Sequence, residues 1–277
     1  MVLDNNPGAT FRADANAALL ALVTVSSGAT EPPTKRAGMF WLDTSITPDG
    51  QLRMRNQANS AWVAPPGTIG SNMKRTIITT SQTWTKPPGL KWLDVIVIGG
   101  GGGTGAPPLT AAAQGSGYSG GGGGGVSTKL YAASALGATV SITVGPGGAV
   151  TPAAGSASIF GGQNGGGGGA GILLAAGVQG AAGGGAGGSA SGGDVNIPGS
   201  AGGIAWRLLT AAYSTGGDGG SSALTNTLVG NITTTTAPGT VGTFPGCGAR
   251  GGCNAASQAA AVGAVGGAGA VILIEYY

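Results

Sequence analysis

Histidine is absent from this 277-residue chain, and charge is scarce, with 12 Lys or Arg and 9 Asp or Glu. Without an imidazole there is no Ser–His nucleophile pair and no histidine ligand for zinc, and two cysteines alone do not complete a zinc site. Glycoside hydrolysis needs a carboxylate pair, and beyond residue 90 the only acids are Asp94, Asp194, Asp218 and Glu275. Asp94 and Glu275 fall on terminal-strand positions, where solvent or edge roles are expected. Asp194 and Asp218 stand beside glycines, where Asp commonly builds turns; they are the one conceivable catalytic pair. After Lys129 the only cations are Arg207 and Arg250, too few to neutralise a nucleic-acid backbone. Long apolar runs are missing as well, since none approaches the ~20 residues needed to cross a bilayer. The start, Met1-Val2-Leu3-Asp4, lacks the cationic and apolar parts of an export signal. The expected product is therefore soluble and made in the cytoplasm, not membrane-inserted, and no cofactor or metal is expected.

What the chain has in excess is glycine, 61 residues of it, against a usual share of about 7%. Collagen is excluded because runs such as Gly120–Gly125 and Gly165–Gly169 break the every-third-residue rule. Disorder fits poorly, because disordered chains are highly charged and poor in apolar residues, whereas this one is 41% hydrophobic. The glycines gather in blocks at 99–105, 119–125, 161–171, 183–193, 216–220, 246–252 and 263–269. An extended left-handed helix of three residues per turn leaves its N–H and C=O groups without internal partners. Packed side by side, such helices satisfy one another. Ordering glycine costs more entropy than ordering any other residue, and dense inter-segment hydrogen bonding, at about 1 kcal/mol net per bond, must offset it. The competing reading is a flexible Gly-rich linker.

The flanking segments are more ordinary. Residues 12–23 predict a short helix, rich in Ala and Leu. Residues 39–43, 51–55 and 60–63 predict short strands of a β-meander. Further strands are predicted at 76–80, 91–98, 126–131, 139–144 and 270–277. The strand at 91–98 reads as buried on both faces, and in 139–144 the residues Val140, Ile142 and Val144 share one face. Gly145-Pro-Gly-Gly148 reads as a turn, and the first and last strong strands are expected to pair. The fold class is thus mainly β: a small N-terminal helix plus β-meander module over 1–66, a linker over 67–73, and a Gly-rich domain over 74–277. In that domain a β framework encloses packed polyglycine-II-type helices and loops.

Asp94-Val-Ile-Val-Ile-Gly-Gly-Gly-Gly-Gly-Thr-Gly105 imitates a dinucleotide-binding fingerprint, a strand running into Gly100-x-Gly102-x-x-Gly105. That motif needs a helix whose N-terminus holds the pyrophosphate. Here Ala106-Pro107-Pro108 follows, and no acid stands about 20 residues on to hold a ribose. Recognition remains. The diverse stretches between Gly blocks carry Tyr118, Phe160, Trp206, Arg207, Tyr213 and Phe244, and loops on a rigid scaffold are where binding residues concentrate. Tyr118, Trp206, Arg207, Tyr213 and Phe244 are the candidate receptor-binding residues, and Phe160, beside Ile159, is favoured as packing. Cys247 and Cys253 either close a small disulfide outside a reducing cytosol or stay as two thiols.

Two segments resemble bacteriophage tail-fibre families. In the first quarter, Trp41-Leu-Asp-Thr44, Arg55-Asn56 and Ser60-Ala-Trp62 resemble a recurrent fibre module. In the remainder, Trp84-Thr-Lys-Pro-Pro-Gly89, Val95-Ile-Val-Ile-Gly-Gly-Gly-Gly-Gly103, Ile142-Thr-Val-Gly-Pro-Gly-Gly148 and Gly269-Ala-Val-Ile-Leu-Ile-Glu-Tyr276 resemble the Gly-rich C-terminal domain of tail fibres and adhesins. The resemblance implies a virion protein, a tail fibre or fibre tip that binds a bacterial outer-surface receptor, protein or glycan, during host adsorption. It also implies attachment to other tail or baseplate proteins through residues 1–66. A homotrimer is the implied assembly, with a monomeric cap as the alternative. The competing functions are a virion-associated polysaccharide depolymerase and a purely structural fibre protein.

Overall fold

The computed structural model describes residues 27–46, 50–65, 73–207, 214–225, 231–233 and 235–277, with scattered positions before residue 20. The expected helix over 12–23 lies largely outside the described residues. The chain divides into two compact units, Met1–Ser71 and Asn72–Tyr277. Among the described residues no helix is long and apolar enough to cross a membrane.

The first unit holds a four-stranded sheet in chain order, Ser27–Gly28, Phe40–Asp43, Gln51–Arg55 and Trp62–Val63. Its core is aromatic. Trp41 is buried, its ring 5.2 Å from that of Trp62, and the Arg55 guanidinium lies 5.6 Å from the Trp62 ring. The turn before the last strand is built by Asn56, whose side-chain oxygen accepts the N–H groups of Ser60 (2.8 Å) and Ala61 (3.2 Å).

At one end of the second unit, two five-stranded sheets form a sandwich. One runs Val195–Ile197, Val126–Ala132, Trp92–Ile98, Ala270–Tyr276, Met73–Ile78; the other runs Ala190–Ser191, Gln163–Gly165, Ser158–Phe160, Thr139–Thr143, Gln82–Thr85. All neighbours are antiparallel. The first and last strong strands pair as expected, Ala270 opposite Ile98 through Tyr276 opposite Trp92. The strand alternation sends Leu93, Val95, Val97, Val271 and Leu273 from one sheet against Trp84, Ile142 and Phe160 from the other. Val140 and Val144 join that cluster, so the expected shared face of 139–144 is present. Phe160 is completely buried, with Trp84 at 6.0 Å and Tyr131 at 5.8 Å between ring centroids. Its hairpin returns at Gln163 through Gly161 and Gly162, whose φ values of 53° and 88° suit a two-residue turn that requires positive φ at both positions.

The double-sided burial expected for 91–98 holds over the second half of the strand only. Leu93, Val95 and Val97 face the sandwich, and on the opposite face Ile98 is buried with Val126, Ala270 and Ile272, Ile96 packing against them, whereas Trp92 is 49% exposed and Asp94 half-buried. Glu275 also departs from its expected solvent or edge role. It is buried, its carboxylate accepting Trp84 Nε1–H at 2.9 Å and Tyr277 O–H at 3.0 Å, with Lys74 Nζ at 3.7 Å.

From these strands the chain runs into a bundle of extended glycine segments. Its periodicity of three is written in the hydrogen bonds. Along 99–105, the N–H groups of Gly99 and Gly102 reach Gly125 and Gly122, those of Gly100 and Gly103 reach Ser156 and Ala153, and those of Gly101 and Thr104 reach Gly267 and Ala264, all at 2.8–3.0 Å. Along 119–125, Gly120 and Gly123 reach Gly203 and Ser200, Gly121 and Gly124 reach Ala249 and Gly246, and Gly122 and Gly125 reach Gly169 and Gly166. Each segment thus donates to three neighbours in rotation, the packing of a polyglycine-II bundle. Gly145–Gly148 belongs to it. The segment was expected as a turn, but Gly148 N–H bonds Gly101 O and Gly145 O accepts from Gly269; the reversal comes later, at 150–152.

At the far end, beyond Gly105 and before Ser119, two small four-stranded sheets cap the bundle. One orders Leu173–Leu174, Ser116–Tyr118, Cys253–Asn254, Thr236–Ala237; the other orders Gly180–Ala182, Ala205–Arg207, Ser214–Gly216, Asn231–Thr233. Leu174, Ala182 and Ala205 pack between them.

Candidate functional site

The far-end cap is braced by buried side chains. Asn254 Nδ2 donates to the carbonyls of Pro107 (3.3 Å), Pro108 (2.9 Å) and Ala259 (2.9 Å). Thr110 Oγ1 donates to Ala255 O at 2.5 Å and accepts Gln258 N–H at 3.0 Å. The 106–114 and 254–261 segments are thereby tied to each other. On this frame Trp206 is 41% exposed, and Ile204, two residues before it, is exposed as well.

The expected receptor-binding residues separate here. Tyr118 is buried, with its ring over Gly105: a Cβ on Gly105 would come within 3.0 Å of Tyr118 Cζ. That burial pushes the Tyr118 hydroxyl pKa up. Arg207 is buried too, its Nη2 donating to Ala113 O at 2.5 Å. Strand alternation explains the split, since Trp206 and Arg207 are consecutive in one strand and point to opposite faces. Tyr213 lies outside the described residues. Phe244 is exposed but sits at the sandwich end of the bundle, since Cys247 N–H bonds Phe244 O and Gly246 O accepts from Gly124, next to the strand that starts at Val126. Of the five, then, Trp206 is the one shown exposed on the far-end cap.

Cys247 and Cys253 are both buried thiols, and burial raises the pKa of Cys253. The spacing that looks short in sequence is long in space. At roughly 3.1 Å of rise per residue in a polyglycine-II segment, six residues span about 19 Å, far beyond the Cα separation of about 4.4–6.8 Å that a disulfide bridges.

The fingerprint glycines hold no phosphate cradle. A Cβ on Gly100 or Gly102 would fall under 3.0 Å from a neighbouring backbone carbonyl, so these glycines serve segment packing. The Asp194/Asp218 pair is not assembled either. Asp194 N–H bonds Thr128 O near the sandwich, whereas Asp218 O accepts from Gly203 toward the far end. Residues 76–277 match the profile of a family described as the glycine-rich domain. The chain belongs to that family. A comparison with curated proteins returns no match.

In this glycine-rich domain, a second feature was not visible in the sequence. The outer face of the sandwich carries a groove of about 580 Å³ lined by Trp92, Asp94, Leu130, Asp194, Val195 and Tyr276, with Thr128 and Lys129. Trp92 and Tyr276 stand opposite each other in register, as do Asp94 and Leu130. Asp194 Oδ2 accepts Leu130 N–H at 3.0 Å. Burial raises the Asp94 pKa, with repulsion from Asp194 adding to the rise and a hydrogen bond from Val95 N–H opposing it. The signal that could have found this face is the Trp92-x-Asp94 alternation against Leu93-x-Val95, an amphipathic pattern inside a mostly apolar run read as buried on both faces.

The raised Asp94 pKa has a stability consequence of definite sign. Below the ordinary carboxylate pKa of about 3.9, Asp94 is protonated whether folded or unfolded and its ionisation has no effect. As pH rises through the window from that value to the higher folded value, the folded protein retains the proton longer, so stability falls with pH. Asp94→Asn removes this loss. Its melting temperature is expected to exceed that of the wild type at pH 7, with the gain vanishing near pH 3, as followed by thermal unfolding at both pH values. An equal gain at both would show that the carboxylate charge is not the cause.

Proposed function

We propose that this protein is a bacteriophage tail-fibre or fibre-tip component that binds a bacterial surface receptor through the far-end cap of its glycine-rich domain, and that residues 1–66 join it to other tail proteins. The observation that carries the reading is an exposed Trp206 on a cap braced by buried hydrogen bonds and mounted on a backbone-bonded bundle. Rigid display suits recognition, because little ordering entropy is lost on binding. Tryptophan is among the residue types enriched at binding hot spots. The resemblance of both segments to tail fibres supplies the biological setting.

The test uses the full-length chain, labelled and titrated onto host cells, in competition with adsorbing phage. Trp206→Ala is expected to weaken cell binding at least ~30-fold, the scale of a hot-spot loss of about 2 kcal/mol, with an unchanged melting temperature. Wild-type chain that neither binds cells nor slows adsorption would favour a purely structural fibre protein. Release of reducing ends from host polysaccharide would favour the depolymerase.

A further inference from the structure

The groove on the outer sandwich face combines three properties. Its walls are apolar and aromatic, with Trp92 49% and Tyr276 36% exposed at facing positions of adjacent strands. It carries two carboxylates, Asp94 and Asp194, close enough for one to perturb the other. Among the described residues neither acid is salt-bridged, since the ion pairs join Lys35 to Glu31, Arg53 to Asp43 and Lys74 to Glu275. Lys129 borders the groove, but its ammonium donates to Gly192 O at 3.3 Å and lies 5.2 Å from the Tyr131 ring.

Such a surface selects its occupant by charge and shape. Two carboxylates without an ion-paired cation favour a positive ligand, and the faces of Trp and Tyr add cation–π attraction. Flat aromatic surface also matches the C–H face of a sugar ring, while carboxylates, which only accept hydrogen bonds, suit its hydroxyl and ammonium donors. The volume lies within the range of about 300–1,000 Å³ typical of small-molecule sites. A second copy docked symmetrically on this face would bring Asp94 and Asp194 against their own counterparts, which disfavours it.

We propose that this groove is a second binding site, for a saccharide bearing a free amino group, with the sugar ring stacked on Trp92 and Tyr276 and the ammonium held by Asp94 and Asp194. The site is independent of the far-end cap, so a failure of receptor binding there leaves this proposal standing, and the reverse also holds.

The test is calorimetric titration of the full-length chain with four probes: a glucosamine tetramer, its N-acetylated counterpart, a galacturonic acid tetramer and tetralysine. The glucosamine tetramer is expected to bind, the N-acetylated form roughly tenfold more weakly for want of the charge interaction, and the acidic tetramer and tetralysine not measurably. Trp92→Ala is expected to abolish binding of both hexosamine tetramers; Trp92→Phe, a milder change that keeps an aromatic face, is expected to retain it partly. Asp94→Asn is expected to reduce affinity for the amine alone, leaving the N-acetylated form unaffected. Tetralysine binding as tightly as the amino sugar would overturn the proposal in favour of a basic peptide. So would the absence of amino-sugar binding, or concentration-dependent self-association in sedimentation that Trp92→Ala abolishes, which would make this face an interface between copies.

Discussion

Gly102→Ala is expected to keep the glycine-rich domain from folding, whereas Gly183→Ala is expected to change stability by no more than about 0.5 kcal/mol. A Cβ on Gly102 would fall under 3.0 Å from Gly169 O, a distance that real Cβ atoms essentially never show, while nothing lies within 4 Å of a Cβ on Gly183. The obstacle at Gly102 is backbone, and that backbone is committed: Gly169 O accepts from Gly122, Gly122 O accepts from Gly102, and Gly102 O accepts from Ala249. Making room means separating segments and breaking several such bonds at about 1 kcal/mol each. Ordinary overpacking costs about 1–3 kcal/mol because side chains yield; here there are none to yield. Each buried N–H or C=O left unpaired by the separation costs about 1–3 kcal/mol, so several together are comparable with a net stability of about 5–15 kcal/mol. Thermal unfolding of any soluble product, compared with Gly183→Ala, checks this. A Gly102→Ala protein melting within a few degrees of wild type would refute the packing account.

The same rule explains how far the sequence could be read. A block of glycines with too little charge for disorder and no collagen repeat had to satisfy its backbone between segments, and the three-residue rotation of donors along 99–105 and 119–125 is that solution. The strand ends were legible for an equally simple reason: Val140, Ile142 and Val144 alternate, and the runs at 91–98 and 270–277 match in character. What could not be read were properties decided by neighbours. Glu275 looks like an edge residue until Trp84, 191 positions away in sequence, is found donating to it. Gly145-Pro-Gly-Gly148 has turn chemistry, but Gly101 and Gly269 supply partners that keep it extended. Cys247 and Cys253 look close because sequence distance does not reveal an extended backbone. Among the candidate binding residues, residue type suggested aromatics and Arg207, yet exposure was settled by which face of a short strand each occupied. That put Trp206 outside and Arg207 inside.

Phe160→Ala is expected to cost about 3–5 kcal/mol, as deletion of a fully buried aromatic does. Phe160 is the largest fully buried side chain and joins both halves of the sandwich through Trp84 and Tyr131. At about 2–4 °C per kcal/mol for a unit of this size, its melting temperature is expected to drop by roughly 6–20 °C. The more informative readout is hydrogen exchange. Segments 99–105, 119–125 and 263–269 are direct continuations of the strands Trp92–Ile98, Val126–Ala132 and Ala270–Tyr276, so the bundle is held in register by the sandwich that Phe160 fills. A bundle has little apolar side-chain burial of its own to resist separation, and its amides are expected to open with the sandwich as one cooperative unit. The amides of Gly102 and Gly122 are therefore expected to lose protection in Phe160→Ala by the same factor as those of Val95 and Leu273. Glycine amides that stay protected while the sandwich opens would show a bundle stable on its own hydrogen bonds. Trp206→Ala supplies the contrast: it removes an exposed side chain from the opposite end and is expected to leave protection at all four positions unchanged.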